Sequence, residues 1–118
     1  MKVFLDTNFL LDILKFRVDF EEFLLEKFGK RFELIVPSSV VGEIKKLSSS
    51  NRYAKVALIF IREKKLPIFE TSLPPDKFFL SLPSNSIVCT NDSKLRKSLK
   101  KLGIKTIYLR KKKYLAFQ

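Results

Sequence analysis

Lys2-Val3-Phe4-Leu5-Asp6-Thr7-Asn8 decides how the rest of this chain is read. A short, mostly apolar run breaks abruptly into a carboxylate flanked by polar side chains. Such a run reads as a strand buried on both faces of a parallel sheet. The same event recurs in Ile87-Val88-Cys89-Thr90-Asn91-Asp92-Ser93. In an open α/β sheet, ligands bind at the rim formed by the carboxyl ends of the strands. Two acids at two strand ends therefore point to chemistry on that rim.

Working outward, strands alternate with helices. Asn8 to Phe16 carries Leu10, Leu11, Ile13 and Leu14 at helical spacing, with Thr7 or Asn8 available as a cap. Asp19 to Phe28 places Phe20, Phe23, Leu24 and Phe28 on one face and stops at Gly29. Phe32 to Val36 is a strand, and Pro37 opens a helix over Ser38 to Leu47 with Val40, Val41, Ile44 and Leu47 inward. Arg52 to Lys64 is a helix with Ala54, Ala57, Leu58 and Ile61 on one stripe. Leu66 to Glu70 is a strand, followed by a short helix near Asp76 to Leu82 that leaves Phe78 and Phe79 partly exposed. Ser86 to Thr90 is a strand, Ser93 to Leu102 a helix with Leu95, Leu99 and Leu102 inward, and Ile104 to Leu109 the last clear strand. Tyr114 to Phe117 reads as either an edge strand or a docked tail. The pattern predicts a three-layer α/β/α fold with a central parallel β-sheet and right-handed crossovers. Residues 1–118 form a single domain in this reading, with a basic tail from about residue 110.

Composition narrows the chemistry. The chain has 118 residues, 46% of them hydrophobic, which suits one domain with a real core. Its net charge of +12 favours a polyanionic partner. A lysine-rich solvated surface is the plainer explanation of the same charge. The single cysteine, Cys89, sits in an apolar run; no internal disulfide is possible, which fits a reducing, cytoplasmic setting. There is no histidine, which removes Ser-His-Asp and Cys-His catalysis and Cys/His zinc sites. Asp6 arrives too early for a signal peptide, and no uncharged stretch is long enough to span a bilayer, so no membrane partner is expected.

In a parallel sheet, every strand-to-helix connection emerges on one rim. Asp6 and Asp92 lie at strand ends, Glu43 is in the helix after the strand ending at Val36, and Asp76 starts the helix after the strand ending at Glu70, so topology permits all four to converge. Asp12, Asp19, Glu21, Glu22, Glu26 and Glu63 read as outer helix faces. Convergent carboxylates repel unless a cation sits among them, and hard ions such as Mg²⁺ or Mn²⁺ prefer oxygen ligands. Such an ion can activate water and steady charge on a phosphate oxygen without any histidine. Singly, Asp6, Asp92 and Asp76 read equally well as helix caps, Asn8 and Asn91 as caps or water ligands, and Gly42 as a place of close packing.

Leu5-Asp6-Thr7-Asn8, Val36-Pro37-Ser38-Ser39-Val40-Val41-Gly42-Glu43-Ile44 and Ile87-Val88-Cys89-Thr90-Asn91-Asp92-Ser93-Lys94-Leu95 together resemble the PIN domain family in order and separation. The ending, Gly103 to Leu115, looks most like the branch of the Fcf1 and Utp23 ribosomal-RNA-processing proteins. The resemblance implies a metal-dependent endoribonuclease with Mg²⁺ or Mn²⁺ held by Asp6, Glu43 and Asp92, and with Asn8, Thr90 and Asn91 as supporting polar residues. The family's fourth acid opens a helix as a doubled Asp followed by small residues. Here that place reads Pro74-Pro75-Asp76-Lys77-Phe78-Phe79, with one acid. The implied setting is ribosomal RNA processing or ribosome assembly, with RNA as partner and a homodimer as a common family state. Two alternatives stay open: a VapC-like toxin ribonuclease with an antitoxin partner, and a non-catalytic RNA-binding module.

A basic flank adjoins the last acid. Lys94, Arg96, Lys97, Lys100, Lys101, Lys105, Arg110, Lys111, Lys112 and Lys113 crowd the C-terminal quarter, with no acid after Asp92. All of these except Lys105 are candidate RNA contacts. A solvated helix face is the alternative. Tyr53, Tyr108 and Tyr114 can stack on bases, although core or edge packing explains them as well.

Overall fold

The computed structural model describes residues 1–118. Its elements run β1 (Lys2–Leu5), α1 (Thr7–Lys15), α2 (Phe20–Phe28), β2 (Glu33–Pro37), α3 (Ser38–Leu47), α4 (Arg52–Glu63), β3 (Ile68–Phe69), α5 (Pro75–Leu80), β4 (Ile87–Cys89), α6 (Ser93–Lys101), β5 (Lys105–Arg110) and β6 (Tyr114–Phe117). The strands form one sheet in the order β3-β2-β1-β4-β5-β6. The first five are parallel; β6 returns antiparallel to β5.

Alternation along the strands sorts side chains between two helical layers. Phe4 stands opposite Ile35 on one side and Val88 on the other, and Val88 opposite Thr106. Phe4 packs edge-on against Phe78 of α5, which assigns this face to α5 and its neighbour α6. Leu5, Cys89 and Ile107 share a register row on the opposite face. Phe9, Phe20 and Phe60 link α1, α2 and α4 in an aromatic chain. A core of 26 buried apolar residues joins both layers through the sheet. Cys89 is fully buried, as its apolar surroundings suggested.

Strand order fixes where a site can open. From β1 the chain steps outward to β2 and β3, then crosses back to β4 on the other side of β1. Neighbouring connections therefore part company between β1 and β4, leaving a crevice at their carboxyl ends. Asp6 follows β1 and Asp92 lies just past β4.

Several expectations need correcting. Of the two readings of Tyr114–Phe117 the edge strand is the one realised, so the stretch from residue 110 is not a tail but a turn over Arg110 to Lys113 that closes β6 onto β5. Phe78 and Phe79 are buried, because α5 turns both rings under itself against Phe4 and each other. Leu102 is exposed, since α6 ends before it and it serves as the C-cap. Leu47 is also exposed, at the last turn of α3. A Cβ on Gly42 would meet no atom, so close packing does not account for that glycine.

Candidate active site

Asp6 is the N-cap of α1: its Oδ1 accepts from Thr7 N at 2.8 Å. Thr7 and Asn8, the residues expected to cap, already lie inside the helix. The other oxygen of Asp6, Oδ2, accepts from the hydroxyl of Thr90 at 2.7 Å. Thr90 is fully buried at the end of β4, and its Oγ1 also accepts from Asp92 N at 3.2 Å. One hydroxyl thus ties together the two strand ends that carry the acids. Asp92 in turn caps α6, with Oδ1 accepting from Lys94 N and Leu95 N at 3.0 and 3.1 Å.

Glu43 comes from the middle of α3, where its Oε1 accepts from Thr7 Oγ1 at 2.5 Å. Thr7 was not singled out as a site residue by sequence. Its signal was its place, directly after Asp6 at the predicted rim. The same holds for Lys46, which lies three residues after Glu43 and so on the same face of α3.

These side chains line one open cleft of about 580 Å³, formed by Asp6, Thr7, Asn8, Glu43, Lys46, Leu47, Pro74, Pro75, Asp76, Asp92 and Leu95. All four candidate acids are among them. Asp76 reaches the cleft from the first turn of α5, behind Pro74 and Pro75. A slightly larger groove, about 610 Å³, lies under α5 beside Phe4, Phe69 and Phe78. Its wall holds no acid, so the smaller cleft is the one equipped for catalysis.

Electrostatics agree with crowding of like charge. Burial pushes the Asp6 carboxyl above its ordinary range, and the carboxylates of Glu43 and Asp92 push the same way; the hydrogen bonds from Thr90 and Thr7 oppose them. The donor set is all oxygen and rich in carboxylate, which fits a hard divalent cation in type. No three of the acids are drawn close enough here to form a single coordination sphere. That arrangement still fits an ion such as Mg²⁺, which keeps most of its waters and takes one or two carboxylates directly.

Three sequence-predicted residues act differently from expectation. Asn91 does not line the cleft; its amide nitrogen donates to Asp12 at 2.9 Å and its oxygen accepts from Leu109 N at 2.8 Å. It supports the site from behind by pinning α1 to β5. Asp12 is consequently a half-buried partner and not an outer-face acid. Arg96 lies over the Tyr108 ring at 3.8 Å and donates to Gln118 at 2.7 Å, so its guanidinium clamps α6 onto β5 and β6. By contrast, Lys94, Lys97, Lys100 and Lys101 are exposed on α6. Neither of the protein's two ion pairs, Arg62–Glu63 and Lys64–Glu21, involves that face. No helix is long and apolar enough to cross a membrane.

Comparison with known proteins bears on this geometry. Ribonuclease VapC4 of Methanocaldococcus jannaschii is 26% identical over 122 residues, spanning 96% of this chain and 93% of that protein. Among solved structures, the PIN domain endonuclease Utp24 superposes with a TM-score of 0.82 at 21% identity, covering 99% of this chain and 90% of that one. VapBC2 from Rickettsia felis, solved bound to a fragment of promoter DNA, gives a TM-score of 0.60 at 17% identity over 93% of this chain and 100% of that one. Both superpositions show the shared fold. Residues 3–112 match the PIN-like domain family, and with that span of agreement the chain belongs to it.

Proposed function

We propose that the protein is a divalent-metal-dependent endoribonuclease that hydrolyses RNA phosphodiester bonds in the cleft of Asp6, Glu43, Asp76 and Asp92. The observation that carries this reading is the gathering of four acids from four separate strand–helix units into one cleft. Capping alone gives no reason for Glu43, which caps nothing, to be held by Thr7 against Asp6. The relationship to Ribonuclease VapC4 over nearly the whole chain supports the same reaction class.

A bound Mg²⁺ or Mn²⁺ would supply Lewis acidity and a water of lowered pKa. Asp6, Glu43 and Asp92 would hold it, one or two of them directly and the rest through its waters, with Asp76 and Asn8 also lining the cleft. The chain's own contribution is orientation. Thr90 and Thr7 fix one oxygen each of Asp6 and Glu43, and the α1 N–H fixes the second oxygen of Asp6. Glu43 and Asp92 each keep an oxygen free of protein hydrogen bonds. Lys46 contributes a positive charge at the edge of the acids, suited to a phosphate oxygen. Lys94, Lys97, Lys100 and Lys101 on α6 would hold the RNA backbone beside Asp92, and the Arg110–Lys113 turn would add positive charge farther along the strand.

The biological setting we favour is processing of ribosomal RNA or assembly of a ribosomal particle. A toxin ribonuclease with an antitoxin partner is the second reading, favoured specifically by the VapC4 relationship. The neighbouring reading frame separates the two, since only the toxin needs an inhibitor encoded beside it. The chemistry is tested with purified protein and RNA. Cleavage is expected with Mn²⁺ or Mg²⁺, lost on chelation, and reduced by roughly a thousandfold or more in folded Asp92→Asn. Intact RNA at every metal concentration, with salt-sensitive binding retained, would replace the nuclease by a non-catalytic RNA-binding module.

A further inference from the structure

A second group of cations gathers where α1 ends, and it is interleaved with rings. Phe16 closes α1 as its C-cap and is half-buried. Lys15 Nζ stands 5.4 Å from its ring centroid, and Lys112 Nζ, reaching over from the β5–β6 turn, stands at 5.6 Å. Tyr53 opens α4 beside them. Arg52 covers its ring at 5.1 Å and donates to its hydroxyl at 3.1 Å. Helices α1 and α4, which carry Lys15 and Tyr53, pack against each other, and the Arg52 contact, with the positive charges of Lys15 and Arg17, lowers the pKa of the Tyr53 hydroxyl. The nearest acids in sequence are committed elsewhere: Asp12 to the Asn91 amide, Asp19 to the backbone of Glu22.

The backbone decides which replacements these positions accept. Arg17, Lys111 and Lys112 have φ of 56°, 52° and 57°, the left-handed region that favours glycine or asparagine. Lys113 N donates to Arg110 O at 3.0 Å, so Lys111 and Lys112 occupy the central positions of a type I′ turn. Glycine or asparagine would suit those positions better, yet the chain places cations there. Lys65, past the far end of α4, shares this conformation at φ 52°, so the backbone by itself marks no function; it makes glycine a compatible replacement at Arg17 and Lys112.

We propose that Phe16 and Tyr53, ringed by Lys15, Arg17, Arg52 and Lys112, form a platform on which single-stranded RNA stacks as it leaves the cleft. The claim rests on reading the cleft as an RNA site. Helix α1 connects the two places directly: it begins at Thr7 in the cleft and ends at the platform, about 12 Å away. A surface cation over a ring is loosely held. An incoming base can take its place on the ring while the freed ammonium or guanidinium moves to the adjoining phosphate. Stacking of this kind accepts any base and requires an unpaired strand.

The test is fluorescence anisotropy with a labelled single-stranded oligouridylate, run in chelator so that binding is read without cleavage. Arg17→Gly combined with Lys112→Gly suits the left-handed backbone, so this variant is expected to keep or raise its Tm. It should nevertheless bind about tenfold more weakly at physiological salt, with the slope of log K against log salt reduced by about 1.4. Tyr53→Phe should bind as the native protein does, whereas Tyr53→Leu should lose at least about fivefold. Native affinity and slope in the folded double-glycine variant would overturn the proposal, as would equal binding of duplex and single strand. If cleavage never appears but these losses do, the platform stands and only the nuclease reading falls.

Discussion

The acidic cleft and the basic face of α6 meet at Asp92, and they are built in opposite ways. In the cleft, each of Asp6, Glu43 and Asp92 has an oxygen held at hydrogen-bond distance by a neighbouring residue. On α6, Lys94, Lys97, Lys100 and Lys101 project into solvent, free of any ion pair. Charge that must sit at one point relative to a scissile phosphate needs fixed geometry. Charge that only has to neutralise a flexible backbone does not, and free lysines lose little entropy until RNA arrives. Arg96 marks the boundary: it lies on the basic helix but is built like the cleft, fixed by Tyr108 and Gln118.

If this contrast is right, changes in the two regions should be felt in different measurements. The largest effect on binding is expected from replacing Lys94, Lys97, Lys100 and Lys101 together by Gln. RNA affinity should drop about a hundredfold at physiological salt and the salt slope should fall by about 2.8, with Tm nearly unchanged. A large Tm loss instead would mean that these lysines support the fold.

Thr90→Val should act in the reverse sense. It removes the hydroxyl shared by Asp6 and Asp92. Cleavage is expected to fall at least about tenfold, and stability by roughly 1–2 kcal/mol, with RNA affinity hardly altered. Single-turnover kinetics and denaturant titration together would read both.

Arg96→Ala tests the boundary. Loss of its ring contact and its bond to Gln118 should cost about 1 kcal/mol in thermal or denaturant unfolding, while Lys97→Ala costs nothing measurable. Equal effects would erase the distinction between them.

The smallest effect carries the sign of the raised Asp6 pKa. Because burial and like charge favour its protonated form in the folded state, ionised Asp6 opposes folding of the metal-free protein. Its favourable contribution at low pH is lost as pH rises through the folded-state pKa. Asp6→Asn should therefore raise Tm at neutral pH by about 4 °C, roughly 1 kcal/mol, even as it removes activity. The gain should vanish in acid, where the native carboxyl is already protonated. A Tm below native at neutral pH would show that the hydrogen bonds from Thr7 and Thr90 outweigh burial.

Much of this was legible in the residues. Lys2 to Leu5 and Ile87 to Cys89 are apolar enough to be strands covered on both faces, and both end where an acid begins. Helical spacing of apolar residues located five of the six helices and the Pro74-Pro75 turn the other, and Gly29 marked an end that it does occupy. Legibility failed where a side chain's role depends on what another segment brings to it. Asp12 looked like a solvent-facing helix residue until Asn91, distant in sequence, arrived beside it. Phe78 and Phe79 looked exposed until Phe4 and the turn of α5 enclosed them. Arg96 was indistinguishable from its lysine neighbours before Tyr108 and Gln118 were placed across from it.

By itself, the sequence determined the alternation of strands and helices, the absence of imidazole chemistry, the excess of positive charge and the assignment of acids to strand-to-helix connections. These follow from local periodicity and residue type, which need no knowledge of neighbours. Only the tertiary structure decided the strand order that opens a crevice between β1 and β4, the threonine hydroxyls that aim Asp6 and Glu43, and the division of the cations into clamped and free. Those depend on contacts between residues far apart in the chain, where pairing and burial set the energy of a side chain and spacing along the backbone does not.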